Sequence, residues 1–195
     1  MSEEQEFKET AGGWGRELGE ILKVILISMA IVLPIRYFIV QPFIVRGASM
    51  EPAFDDREYL IVDELSYFLR EPNRGEAIVF RYPRDPRQFF IKRIIGLPGE
   101  KVEIKSGRIK IHNANYPDGF ILEESYLEPL GRTTNPDLTI TLGEGDHFVL
   151  GDNRDFSSDS RIWGLLKRDF IVGRVLFRAW PITRFGVIPD HSFSY

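Results

Sequence analysis

Between Ile21 and Val40 the chain reads ILKVILISMAIVLPIRYFIV, twenty residues whose only charges are Lys23 near one end and Arg36 near the other. As a helix the run would measure about 30 Å, the thickness of a bilayer's hydrocarbon core, and both cationic side chains could reach the interface. Residues 21–40 are therefore expected to form a transmembrane anchor. Ahead of it, residues 1–20 read as an acidic polar tail, with six Glu against Lys8 and Arg16. A buried core helix competes with the anchor, because the uncharged stretch from Val24 to Ile35 is only twelve residues and Pro34 would kink it. A cleaved leader fits less well: its first segment should be basic and its apolar stretch should end on small residues, whereas Ile35-Arg36-Tyr37-Phe38 follows here. Lys8, Arg16 and Lys23 on one side balance Arg36, Arg46 and Arg57 on the other, so charge does not orient the span.

Of the 195 residues, 41–195 remain for one folded domain. The balance of 25 Lys and Arg against 29 Asp and Glu, a net charge of −4, lacks the basic footprint of a nucleic-acid binder, and no nucleic-acid partner is expected. The absence of cysteine excludes disulfides, thiolate zinc sites and a thiol nucleophile together. After Val40 the pattern turns to short β-rich runs punctuated by Gly and Pro. Strands are expected at 42–46, 58–62, 77–82, 89–95, 101–105, 108–112, 146–150 and 171–180, with a hairpin at Ser106-Gly107 and a helical turn at 66–69. Residues 114–137, with Pro117, Pro129 and Pro136, read as a long surface excursion. The fold class is mainly β, an antiparallel sheet domain behind one N-terminal helix.

His112, His147 and His191 are scattered without metal-ligand spacing, and the acidic run Gly151-Asp152-Asn153-Arg154-Asp155-Phe156-Ser157 departs from a calcium loop at Arg154 and Ser157. No metal and no cofactor is expected. Hydrolytic chemistry would then need an activated hydroxyl, with a His or a desolvated Lys as its base. In Gly47-Ala48-Ser49-Met50-Glu51-Pro52 a serine follows small residues that let another backbone approach. In Phe89-Phe90-Ile91-Lys92-Arg93-Ile94-Ile95 two cations interrupt an apolar strand, and with a period of two they point to opposite faces. Apolar surroundings disfavour an ammonium; moving a lysine from about 10.4 to about 8 costs roughly 3 kcal/mol. Each stretch alone also has a plain structural reading, a serine in a tight turn and a lysine on a strand's solvent face.

In this order, GASMEP, FIKRIIGLPGE and GDNRDFSSDSRIWG behind a candidate span, the chain closely resembles the type I signal peptidases, membrane-anchored serine proteases with a Ser/Lys dyad. The resemblance implies Ser49 as nucleophile and Lys92 as general base. It implies Ser157 as the hydroxyl that orients the lysine, and Arg93, Asp159 and Arg161 as structural ion-pair residues. Gly47 stands where some members carry a Ser or Thr that helps bind the oxyanion, so the expected donors are the backbone N–H groups of Ser49 and Gly47. Ala53-Phe54 replaces the common Thr-Leu and would reshape a pocket wall. Substrate is expected to bind in extended form beside Phe43–Arg46 and near Arg81 and Tyr82, its small side chains entering pockets lined by Val45, Met50, Phe54, Phe90 and Ile91.

The implied activity is removal of signal peptides from exported preproteins after A-x-A type sequences, through an acyl-enzyme. The implied location is a single-pass anchor with the catalytic domain on the extracytoplasmic face of a bacterial cell membrane. Nine residues separate Val40 from Ser49, at most roughly 30 Å of extended chain, which would keep the nucleophile near the lipid bilayer. Two rivals remain. A self-cleaving repressor would need DNA-reading helices where residues 1–40 hold a tail and a span, and a catalytically silent, membrane-tethered β-domain would bind exported peptides without cutting them.

Overall fold

A computed structural model of the protein describes residues 17–30, 32, 40–127 and 134–189. The chain divides into two units, Met1–Val40 and Gln41–Tyr195. In the first, residues 17–30 form a helix, α1, with exposed side chains. Among the described residues no helix is long and apolar enough to cross a membrane. Of the span expected over 21–40, positions 31 and 33–39 lie outside the described residues, as do most of the tail, the segment 128–133 and His191.

The strand order opens with β1 (Val40–Ile44), β2 (Tyr59–Asp63), β3 (Ala77–Tyr82), β4 (Asp85–Gly96), β5 (Lys101–Lys105) and β6 (Arg108–His112). It continues with β7 (Phe120–Ile121), β8 (Leu138–Thr141), β9 (Asp146–Leu150), β10 (Leu166–Lys167), β11 (Ile171–Trp180) and β12 (Gly186–Val187), with single-turn helices α2 (Ser66–Leu69) and α3 (Ser160–Trp163). The large sheet runs β1-β2-β11-β3-β4-β9-β10, with β12 beside β11, and a four-stranded sheet runs β7-β6-β5-β8. The expected antiparallel, mainly β architecture is what the chain adopts.

Period-two packing explains why β3 reads as a continuous apolar run. Ala77 and Val79 enter a core with Leu60, Val62, Val175, Val45, Met50 and Phe54. Ile78 and Phe80 enter another with Ile94, Val149, Tyr67, Trp163, Leu166 and Ile171. With both faces covered, alternation with polar residues disappears. A third core, of Val102, Ile104, Ile109 and Ile111 against Ile95, Phe148 and Leu150, joins the small sheet to β4 and β9. The β5–β6 hairpin closes through Ser106-Gly107 with Lys105 opposite Arg108.

Short strands β7, β8, β10 and β12 are additions to the expected set, and β1 and β2 are displaced by one or two residues from it. Residues 114–137 do more than cross the surface. They carry β7, bury Leu122, Leu127 and Thr134, and send Glu124, Tyr126 and Thr134 onto Arg154.

Candidate active site

Leaving β1, the chain is held to the segment before β2 by Val45 N–H on Glu58 O and Arg57 N–H on Val45 O, both at 2.9 Å. It then turns at Gly47, whose φ of 85° is one that a residue with a Cβ rarely adopts. The Gly47 N–H donates to Asp56 Oδ1 at 2.8 Å. This corrects one expectation: the group is committed to a carboxylate and is not presented as a second oxyanion donor. Beyond Ser49 the chain rolls inward, with Phe54 N–H on Met50 O at 2.9 Å, and Met50 and Phe54 are both 0% exposed. That is a second correction. These two side chains fill the core beneath Ser49 and line no part of the cleft described below. A buried Arg178 secures this turn from below, donating to Glu58 Oε2 at 2.7 Å and to Ala53 O.

Lys92 reaches Ser49 from the neighbouring wall. Its Nζ lies 2.8 Å from Ser49 Oγ and 2.8 Å from Ile91 O. The side chain is 3% exposed, and the nitrogen stands 5.6 Å from the centroid of the Phe90 ring. Burial pushes the amine down to about 8, against the opposing pull of the Asp159 and Asp152 carboxylates. An amine so placed is short of hydration and within hydrogen-bond reach of a hydroxyl, which suits it to accept that hydroxyl's proton.

The turn after β9 closes the site. Asn153 donates from its backbone N–H to Ser49 O at 3.0 Å and from Nδ2 to Ala48 O at 2.9 Å, clamping the peptide on each side of Ser49 N. At Gly151 a Cβ would come within 2.2 Å of Ser157 Oγ and 2.4 Å of Ser49 O, so only glycine lets the two serine segments meet. Ser157 is 8% exposed and its Oγ is buried without a hydrogen-bond partner among the described residues. It is beside Ser49, but its expected hydrogen bond to Lys92 is not made in this structure.

The expected ion-pair residues separate into two pairs. Arg93 binds Asp152 through two hydrogen bonds, 2.8 and 2.6 Å, with both side chains about 1% exposed, and donates to Gly75 O at 2.7 Å. Asp159 binds Arg161 in the same two-pronged way, 2.8 and 2.7 Å, while its Oδ2 accepts the Gly151 N–H at 3.1 Å. Reading the motif alone missed Arg154. Its buried guanidinium holds Gly151 O at 3.1 Å, and also Glu124, Thr134 and Tyr126. The arginine in the motif is visible in the sequence. Its partners, 20 to 30 residues upstream, belong to no pattern that would have flagged them.

A cleft of about 840 Å³ opens over Ser49 and Lys92, lined by β1 and the following turn on one side and by Arg87–Lys92 on the other. Val45, Phe90 and Ile91 are among its lining residues. Arg81 and Tyr82 do not; the wall opposite β1 is Arg87 to Ile91, and Phe43 and Phe89 meet across the cleft at 5.4 Å between ring centroids. Among the described residues β1 is an edge strand of the large sheet, and β4 pairs with β9 only from Arg93 onward, which leaves the first half of β4 unpaired there on that side. An extended peptide could add to either rim. Among the described residues no group of His, Asp or Glu is placed to hold a metal ion.

The family model described as signal peptidase, peptidase S26, matches residues 18–180. A probable signal peptidase I-1 of Synechocystis sp. is 33% identical over 181 residues, covering 89% of this chain and 88% of that protein. The signal peptidase I of Leptolyngbya laminosa is 38% identical over 186 residues, covering 90% and 87%. A crystal structure of a signal peptidase I from Enterococcus faecalis, 35% identical, matches with a TM-score of 0.48 over 54% of this chain and 97% of that one.

Proposed function

This chain belongs to the signal peptidase family, peptidase S26, and we propose that it is a membrane-bound serine endopeptidase that removes N-terminal signal peptides from exported preproteins after small residues of A-x-A type. The observation that carries the reading is the 2.8 Å contact between the buried Lys92 amine and Ser49 Oγ. Neutral Lys92 takes the Ser49 proton as Oγ adds to the carbonyl carbon of the scissile bond. The resulting oxyanion is bound by the Ser49 N–H, whose flanking carbonyls Asn153 holds still. Collapse of the adduct breaks the C–N bond, and the Lys92 ammonium returns its proton to the leaving amine. A water then attacks the acyl-enzyme, giving its proton to Lys92, and Ser49 leaves with that proton. Ser157 is the residue assigned to orient Lys92 once Ser49 Oγ has formed its bond to carbon and no longer accepts from the amine. Its position beside Ser49 and its unused hydroxyl support that role.

The substrate would lie extended between β1 and Phe89–Ile91, its small side chains against Val45, Phe90 and Ile91. The apolar run that opens at Ile21, whose last residue Val40 is taken into β1, supports a single-pass anchor, and the family supports a catalytic domain on the extracytoplasmic face. The test is cleavage of an A-x-A peptide by the purified full chain in detergent. Ser49→Ala and Lys92→Ala should each abolish turnover while the far-ultraviolet circular dichroism and the melting transition persist. Binding without cleavage by the unaltered chain would sink the enzyme reading in favour of a silent peptide-binding domain.

A further inference from the structure

We propose that Tyr82, which lies outside the cleft, sets the upper size limit on the residue accepted beside the scissile bond by bracing the Phe90 ring. This rests on the endopeptidase reading and deepens it by naming a specificity-determining residue away from the substrate. Phe90 lines the cleft next to Lys92, so its ring bounds the space open to the side chain whose carbonyl is attacked. Tyr82 stacks on that ring with centroids 4.5 Å apart and planes 12° from parallel. Trp163, from α3, stands edge-on to Tyr82 at 6.1 Å and 79°. Phe80, the cross-strand partner of Phe90, meets Phe90 at 6.3 Å and Trp163 at 5.8 Å.

Phe90 is therefore one ring in a packed group of four, contributed by both strands of the β3–β4 hairpin and by α3. A rigid wall is what size selection requires. One methylene discriminates by about 10- to 200-fold where the pocket cannot yield, and by little where it can. Without a neighbour stacked on it, the half-buried Phe90 ring could turn about its side-chain bonds. The stacked Tyr82, held in turn by the buried Trp163, occupies the space into which it would move.

The experiment measures kcat/KM of the full chain in detergent for three A-x-A type peptides that differ only in carrying Ala, Val or Leu before the scissile bond. Tyr82→Ala should lower the preference for Ala over Val by about tenfold or more, and Tyr82→Phe, which keeps the ring, should restore the wild-type preference. General loosening of the fold would lower all three values together and leave their ratio intact. Should Tyr82→Ala fail to fold, Tyr82→Leu, which keeps apolar bulk without a flat ring, should relax the ratio in the same direction. A folded Tyr82→Ala or Tyr82→Leu variant with the wild-type ratio overturns the inference while the endopeptidase reading stands. A wild-type chain that cleaves none of the peptides removes that reading and the inference with it.

Discussion

Changing the pH should carry the Lys92 amine through its titration and reveal how much of the base the fold itself creates. With the amine pushed down to about 8, about one molecule in ten has a neutral Lys92 at pH 7; for a lysine at its ordinary value the fraction would be about one in three thousand. Burial thus raises the available base at neutral pH by about 300-fold. Single-turnover cleavage of an A-x-A peptide should rise tenfold per pH unit below 8 and level off above it. The same burial has a stability counterpart with a definite sign. Because the folded amine binds its proton less tightly than the unfolded one, stability is lost as pH falls from the ordinary lysine value of 10.5 to about 8 and changes no further below that. The amount is about 3 kcal/mol. Urea denaturation of the wild type and of Lys92→Met, compared point by point across that window, should show the difference growing with pH by this amount. An ascending limb centred near 6.5 would point to a histidine instead. A limb still rising at pH 10, with no pH-dependent difference in stability between the two proteins, would refute the account of a desolvated amine.

Gly151→Ala should inactivate, because its Cβ would meet Ser157 Oγ at 2.2 Å and Ser49 O at 2.4 Å; overpacking of this kind costs about 1–3 kcal/mol, read from the melting transition alongside the loss of cleavage. Asp152→Ala should destabilise by about 3–5 kcal/mol, since it strands the guanidinium of Arg93, which is 1% exposed. Urea denaturation measures this, and a loss below about 1 kcal/mol would mean that the pair is not buried as described.

Legibility in the sequence followed local periodicity closely. The strands at Ala77–Tyr82, Lys101–Lys105, Arg108–His112, Asp146–Leu150 and Ile171–Trp180 have the boundaries that short β-rich runs and the turn residues between them imply. Strands of two residues, such as β7, β10 and β12, are too short to carry a period and exist because a neighbouring strand offers them backbone partners. At the site, the facing of Met50 and Phe54 was not legible. Apolar residues next to a nucleophile can line a pocket or fill the core beneath it, and the inward roll closed by the Phe54 N–H on Met50 O decides for the core. Nor could spacing reveal that Asp56 takes the Gly47 N–H, that Arg93 chooses Asp152, or that Arg154 draws Glu124 and Thr134 into the same network.

By itself, then, the sequence determined which residue types were available for chemistry: no thiol, a serine among small neighbours, and a lysine inside an apolar strand. It also determined most of the strands that carry them, since hydrophobic period and turn residues act over a few neighbours. What only the tertiary structure decided is which groups meet and in what medium. Ser49 and Lys92 are 43 residues apart in the chain and become partners because the large sheet and the turn at 151–157 close over them. An amine's affinity for its proton depends on the water and charges around it, and those are supplied by residues distant in sequence.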